Sequence, residues 1–129
     1  MKIILPLSIL TVLLSGCAAM SVEQCKTANW LNVGEKDGAA GRESRLDQYY
    51  SSCQKANIVP NQKLYEQGYQ KGLGYYCRPE TIFNEALEGR GDFRICPLDK
   101  RESLRIYYQV ANDYYQANSE FDRSQNDIN

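Results

Sequence analysis

WLNVGEKDG at residues 30–38 and LYEQGYQKG at residues 64–72 share one spacing, a large apolar residue followed by glycine one and two helical turns later. On a helix of about 3.6 residues per turn, Gly34 and Gly38 fall on one face, and so do Gly68 and Gly72. An interior helical glycine costs about 1 kcal/mol relative to alanine, so the set costs ~4 kcal/mol, a large share of a small domain's stability. Something in the fold has to offset that. The favoured account is close approach of helices through their smooth faces. Two others stand beside it: Gly38 and Gly41 end a helix, or the glycines line a ligand groove. The echo between the two segments fits a duplication as well as it fits chance.

Working outward, the pattern is helical almost throughout. Ser21 with Gln24 three residues on reads as a capping box, opening a helix over 22–40 that stops near Gly41. A second helix over 43–56 carries Leu46, Tyr49, Tyr50 and Cys53 along one side, with Asn57 as its cap and Pro60 as the break. Asn61 caps a third helix running to Tyr76, which Arg78-Pro79 stops. A short helical piece covers 82–87, and Gly89-Arg90-Gly91-Asp92 is a turn. A last helix over 100–121 repeats Leu104, Tyr107, Tyr108, Ala111, Tyr114 and Tyr115 at spacings of three and four, and would be about 33 Å long. No segment alternates apolar and polar residues in a sustained way, so no sheet is expected. The fold class is mainly α: a small disulfide-stapled helical domain of four to five helices behind a signal peptide.

That leader is legible at once. Lys2 precedes a mostly apolar run from Ile3 to Leu14, too short for a spanning helix, which needs about 20 residues. Leu14-Ser15-Gly16-Cys17 then resembles the lipobox of bacterial lipoproteins at every position. The expected organisation is a removed leader (1–16), a lipidated Cys17 with a short tether (17–20), a helical periplasmic domain (21–123) and a polar tail (124–129). The only cofactor-like group expected is the covalent lipid on Cys17. Loss of Lys2 with the leader takes the formal charge from −1 to −2. That balance offers nucleic acid nothing and leaves membrane attachment to the acyl chains, each buried methylene contributing about 0.8 kcal/mol. Ala18 stands where Gram-negative lipoproteins retained in the inner membrane carry aspartate, which by that resemblance implies the outer membrane. The tether reaches roughly 14 Å fully extended, with no flexible linker to lengthen it.

Cys25, Cys53, Cys77 and Cys96 remain. They form no Cys-x-x-Cys pair, and no histidine exists to complete a mixed zinc site. In an oxidising compartment an even set reads as disulfides, with an all-cysteine metal site as the alternative. If the first two helices form a hairpin turning near Gly41, Cys25 and Cys53 lie at similar heights. The helix reading therefore favours Cys25–Cys53 and Cys77–Cys96.

Ten tyrosines are the second anomaly, eight of them paired at Tyr49-Tyr50, Tyr75-Tyr76, Tyr107-Tyr108 and Tyr114-Tyr115, besides Tyr65 and Tyr69. Adjacent helical positions straddle the edge of an apolar stripe, so the rings are expected to finish the core while the hydroxyls reach water. The functional alternative is an aromatic surface for glycan strands or a protein. The candidate interaction surface is Trp30, Asp37, Arg42, Tyr65, Tyr69 and Arg90. Without histidine, no histidine-based triad exists, and there is no Gly-x-Ser-x-Gly or phosphate-cradling loop. Asp37, Glu85, Glu88 and Asp92 are the carboxylates from which an acid/base pair would be drawn.

Taken together, Cys25 with Trp30, Val33-Gly34, Asp37-Gly38, Gly41-Arg42, Cys53, Pro60, Tyr65, Gly68, Gly72-Leu73, Tyr76-Cys77, Pro79, Gly89-Arg90 and Cys96-Pro97 resemble the short proteobacterial lipoproteins grouped as domain-of-unknown-function family 2799. Asn61 departs from an expected aspartate, and residues 85–87 depart from a glycine-containing stretch. The resemblance implies an envelope lipoprotein and brings no activity with it. The expected role is a non-enzymatic structural or interaction protein with an envelope partner; the alternative is a peptidoglycan-binding module, and an acidic-residue hydrolase comes last.

Overall fold

The computed structural model describes residues 18–128. Residues 1–17 and Asn129, with the expected leader and lipidated Cys17, lie outside the described residues. Six α-helices follow in order: α1 Val22–Thr27, α2 Trp30–Ala39, α3 Leu46–Cys53, α4 Gln62–Tyr76, α5 Pro79–Leu87 and α6 Leu98–Ile128. Two 3₁₀ turns, Gln54–Ala56 and Phe93–Ile95, extend α3 and precede α6. Among the described residues there is no strand.

The glycine faces meet each other. A Cβ built on Gly34 would lie 2.0 Å from the Tyr65 carbonyl oxygen, and one on Gly38 2.2 Å from that of Tyr69. Reciprocally, Cβ atoms on Gly68 and Gly72 would lie 1.9 and 2.2 Å from the carbonyl oxygens of Leu31 and Glu35. Register advances in the same direction on both helices, so α2 and α4 run parallel. The two repeated segments are thus each other's partner, related by a local pseudo-two-fold. Backbones this close trade side-chain packing for contact between glycine Cα–H groups and facing carbonyls, worth roughly 0.5–1 kcal/mol each.

Two apolar clusters flank this pair. Cys25, Trp30, Leu46, Tyr49, Cys53 and Tyr65 form one, and Leu73, Tyr76, Cys77, Ile82, Cys96 and Leu104 form the other, with Tyr69 packing against both. Each cluster holds one disulfide: Cys25–Cys53 and Cys77–Cys96, with Cα atoms 5.5 and 5.8 Å apart. The expected pairing is therefore the pairing found. Each closes a short loop and contributes about 3 kcal/mol on the loop-entropy account.

Among the described residues six helices stand where four to five were expected, and four boundaries differ; the simplest is α3, which starts at Leu46 rather than at 43. The run over 22–40 is two helices, because Ala28 is extended and Asn29 starts again, its side chain accepting from the Asn32 N–H. Cys25 thus sits on a separate short helix rather than on one arm of a hairpin. Pro79 does not only end α4; it occupies the first turn of α5, where its missing N–H costs nothing. The last helix runs on to Ile128 instead of ending at Phe121 with a frayed tail. No glycine or proline interrupts it.

Alanine substitution separates the two kinds of helical glycine in α4. Gly68→Ala drives a methyl into backbone and should lower stability by about 2 kcal/mol or more. Gly74, also in α4, has nothing within 4 Å of a built Cβ, so Gly74→Ala should raise stability, by up to about 1 kcal/mol. Urea midpoints of the two variants moving in the same direction would contradict the packing.

Candidate functional site

The most organised polar feature is centred on Asp37, in the last turns of α2. Its side chain is buried, at 2 % exposure, yet both carboxylate oxygens are satisfied. Oδ2 accepts from the Tyr49 hydroxyl at 2.7 Å and from the Tyr65 hydroxyl at 3.0 Å, while Oδ1 accepts from Arg42 Nη1 at 3.1 Å. The Tyr65 hydroxyl in turn accepts from the Arg45 N–H at 3.0 Å, and the Tyr69 hydroxyl donates to the Arg42 carbonyl at 2.7 Å. One carboxylate thereby ties α2, α3, α4 and the loop over 40–45 together. Trp30 packs against Tyr49, Tyr49 edge-on against Tyr65, and Tyr65 stacks on Tyr69.

Local sequence explains the placement. Asp37 precedes Gly38 and Tyr65 lies one turn before Gly68, so the glycine contact that draws the helices together brings the acid and the phenol within reach. Gly41, at φ +65°, turns the chain so that Arg42 points back. Burial is the first cause that pushes the Tyr49 hydroxyl well above its ordinary pKa, followed by its hydrogen bond to the Asp37 carboxylate. Burial likewise raises Tyr65 and Tyr69.

Five of the six residues proposed as an interaction surface are brought together here, and the sixth is not. Arg90 lies in the turn after α5, paired with Glu85 and Glu88. The assembled five do not form a surface, however. Trp30, Asp37 and Tyr65 are interior, because the glycine contact pulls their faces inward, and only Arg42 is well exposed. The tyrosine expectation needs the same correction. Four hydroxyls bond to protein: Tyr49 and Tyr65 donate to the carboxylate, Tyr69 donates to the Arg42 carbonyl, and Tyr76 accepts the Asp92 N–H at 2.8 Å. Tyr49 and Arg45 were not singled out from the sequence as members of the site. The spacing of Leu46, Tyr49 and Cys53 signals burial, but nothing local signals which acid Tyr49 meets.

A groove of about 370 Å³ opens beside Asp37, lined among others by Lys36, Arg42, Arg45, Ala19 and Met20. Ala19 and Met20, at the start of the described residues, therefore share a groove with three basic side chains. The Ala19 N–H donates to Ser52 Oγ at 3.1 Å, and Met20 packs into the first cluster, its sulfur 3.9 Å from that of Cys53. Among the described residues no group of three or more acidic, cysteine or histidine side chains is arranged to hold a metal, and the four cysteines there are all in disulfides.

A family model described as protein of unknown function (DUF2799) matches residues 29–113. The chain belongs to this family. No curated protein and no solved structure matches it. The family match takes in both glycine segments, Asp37 with all its partners, and three of the four paired cysteines, leaving Cys25 and the second half of α6 outside.

The Asp37 centre makes a signed prediction about alkali. Unfolded Tyr49 loses its proton near pH 10, whereas in the fold it keeps it to higher pH. Between those values the native state binds more protons, so stability, intact below about pH 10, should fall as pH rises further. Tyr49→Phe should cost about 1–2 kcal/mol at neutral pH by removing a donor from a buried carboxylate. It should also flatten the alkaline slope of the urea midpoint. An unchanged slope would mean that Tyr49 does not carry it.

Proposed function

We propose that the protein is a non-enzymatic envelope lipoprotein, anchored through an acylated Cys17 and holding its helical domain against the membrane to contact a neighbouring envelope protein. The observation that carries this reading is the docked tether. After a lipobox-like Leu14-Ser15-Gly16-Cys17, only Ala18 stands before Ala19 and Met20 pack onto the domain. A domain so attached has almost no reach, and its partner has to be close to the bilayer. None of the described helices is long and apolar enough to cross a membrane, so on this reading the lipid supplies the attachment. Lys36, Arg42 and Arg45 beside the tether suit a surface facing anionic groups. By the identity of Ala18, the membrane is the outer one of a Gram-negative envelope.

A glycan-binding role would have to use tyrosines other than Tyr65, and an aromatic other than Trp30, since both are buried. Purified peptidoglycan set beside crosslinking in cells separates the two: the interaction reading expects a protein adduct and no sedimentation with the wall.

The anchor itself is tested by Cys17→Ser, which should leave unprocessed, unacylated precursor on a gel. Proximity is tested by inserting about 20 flexible residues between Ala18 and Ala19. The lengthened protein should still fractionate with membranes but lose its partner crosslinks. Crosslinks that survive the insertion would remove the membrane-proximal partner from the proposal while leaving the anchor intact.

A further inference from the structure

Helix α6 carries two apolar stripes, and the domain uses one. Leu104, Tyr108, Ala111 and Tyr115 face inward: Leu104 and Ala111 are buried, Tyr108 packs on Phe93, and the Tyr115 ring closes over Gly89. About a third of a turn round the helix runs a second stripe that continues further along it. Tyr107, Tyr114, Phe121 and Ile128 recur every seven residues, and Val110, Ala117 and Ser124 fall between them at the complementary spacing. That is a heptad, apolar or aromatic at every a position and polar at d only in Ser124, the pattern by which one helix pairs with another. The stripe is open to solvent. Val110, Tyr114, Phe121 and Ile128 are 60, 64, 61 and 79 % exposed, and every residue over 120–128 is exposed. A helical end exposed on all sides in this way is marginal by itself in water.

We infer that this stripe is a homotypic interface, in which α6 pairs with α6 of a second copy of the chain as a parallel, in-register coiled coil. A seven-residue repeat is self-complementary, so a two-fold pairing buries the same residues on both copies. The area suffices. Five large side chains, each offering on the order of 100 Å² of the roughly 150–250 Å² an aromatic carries, give about 1,000 Å² over two copies, the lower bound for a specific interface. The flanking charges choose the second copy's direction. Asp113, Glu120 and Asp127 line one edge of the stripe, and Asn118 and Gln125 line the other. A parallel pair sets the acidic edge of one copy against the amides of its partner. An antiparallel pair would set acid against acid. This inference is independent of the lipid anchor and of any partner at the membrane.

Cysteine crosslinking in the full chain tests it. Ser124→Cys, at the centre of the stripe, should give a disulfide-linked dimer on a non-reducing gel. Arg123→Cys, equally exposed but on the outer side of the helix, should give at least ten-fold less. Adding Tyr114→Glu and Phe121→Glu to Ser124→Cys should abolish the dimer with no change in the thermal melt, since neither side chain supports the folded monomer. Equal crosslinking at 123 and 124, crosslinking that survives both glutamates, or capture of a different protein by the introduced thiol in place of a dimer would each overturn the pairing.

Discussion

The carbonyl oxygens of Leu31, Glu35, Tyr65 and Tyr69 lie within 2.2 Å of where Cβ atoms would stand on Gly68, Gly72, Gly34 and Gly38. Two parallel helices with ordinary side chains keep their axes about 8–10 Å apart. Removing four Cβ atoms lets the backbones themselves touch, and that has consequences beyond the contact. It turns Trp30, Asp37 and Tyr65 inward, because they flank the glycines on faces that now look into the domain. It also makes α2 and α4 a rigid central pair on which the other elements are hung in two clusters.

Each cluster is then secured by means that suit a small core. A chain of this size has a modest apolar interior, and each end of the helix pair carries a disulfide as well. Around Asp37 the device is electrostatic. A carboxylate removed from water is costly unless its lone pairs are met, and here two phenols and a guanidinium meet them. Among the described residues, no buried side-chain polar atom lacks a partner. The result is a corner between α2 and α3 whose loop is held by tyrosine hydroxyls from α4, so that the polar network reports on the same helix contact as the glycines do.

The parts of this architecture that were readable from sequence are those fixed by local chemistry. Ser21 with Gln24, Asn57 in the left-handed conformation and Asn61 all cap where their side chains predict. Glycine spacing pointed to close approach because only such contact offsets the cost of glycine in a helix. The cysteine pairing was reachable because few arrangements exist and helix order restricts them further. The break at Asn29 was missed because hydrophobic periodicity continues across it, and a capping asparagine inside a periodic run looks like any polar residue. The Asp37 centre was missed as a unit because its members come from three helices whose relation is set by the glycine contact. Sequence placed Asp37, Tyr65 and Tyr69 in one set without revealing that they would be inside. The extension of α6 was cut short at Phe121 because the residues beyond it are polar, although Ile128 keeps the seven-residue register.

That register runs on past the end of the family match. The family match ends at residue 113, after the inward stripe of α6 has made most of its contacts with the domain. Tyr114, Phe121 and Ile128 lie beyond it, along with the exposed last turns of the helix. The glycine pair, the Asp37 network and the disulfide at Cys77 and Cys96 lie within the match and hold this fold together. They are satisfied internally and leave little for a ligand. An exposed apolar stripe has the opposite character: it contributes nothing to the monomer, and each side chain in it exposes area to water at about 25 cal/mol per Å². A fold that buries its one central carboxylate so completely, yet leaves this stripe open, concentrates its unused binding capacity in α6. Self-association is therefore to be sought along that helix rather than at the polar centre, whose chemistry is spent on holding the fold together.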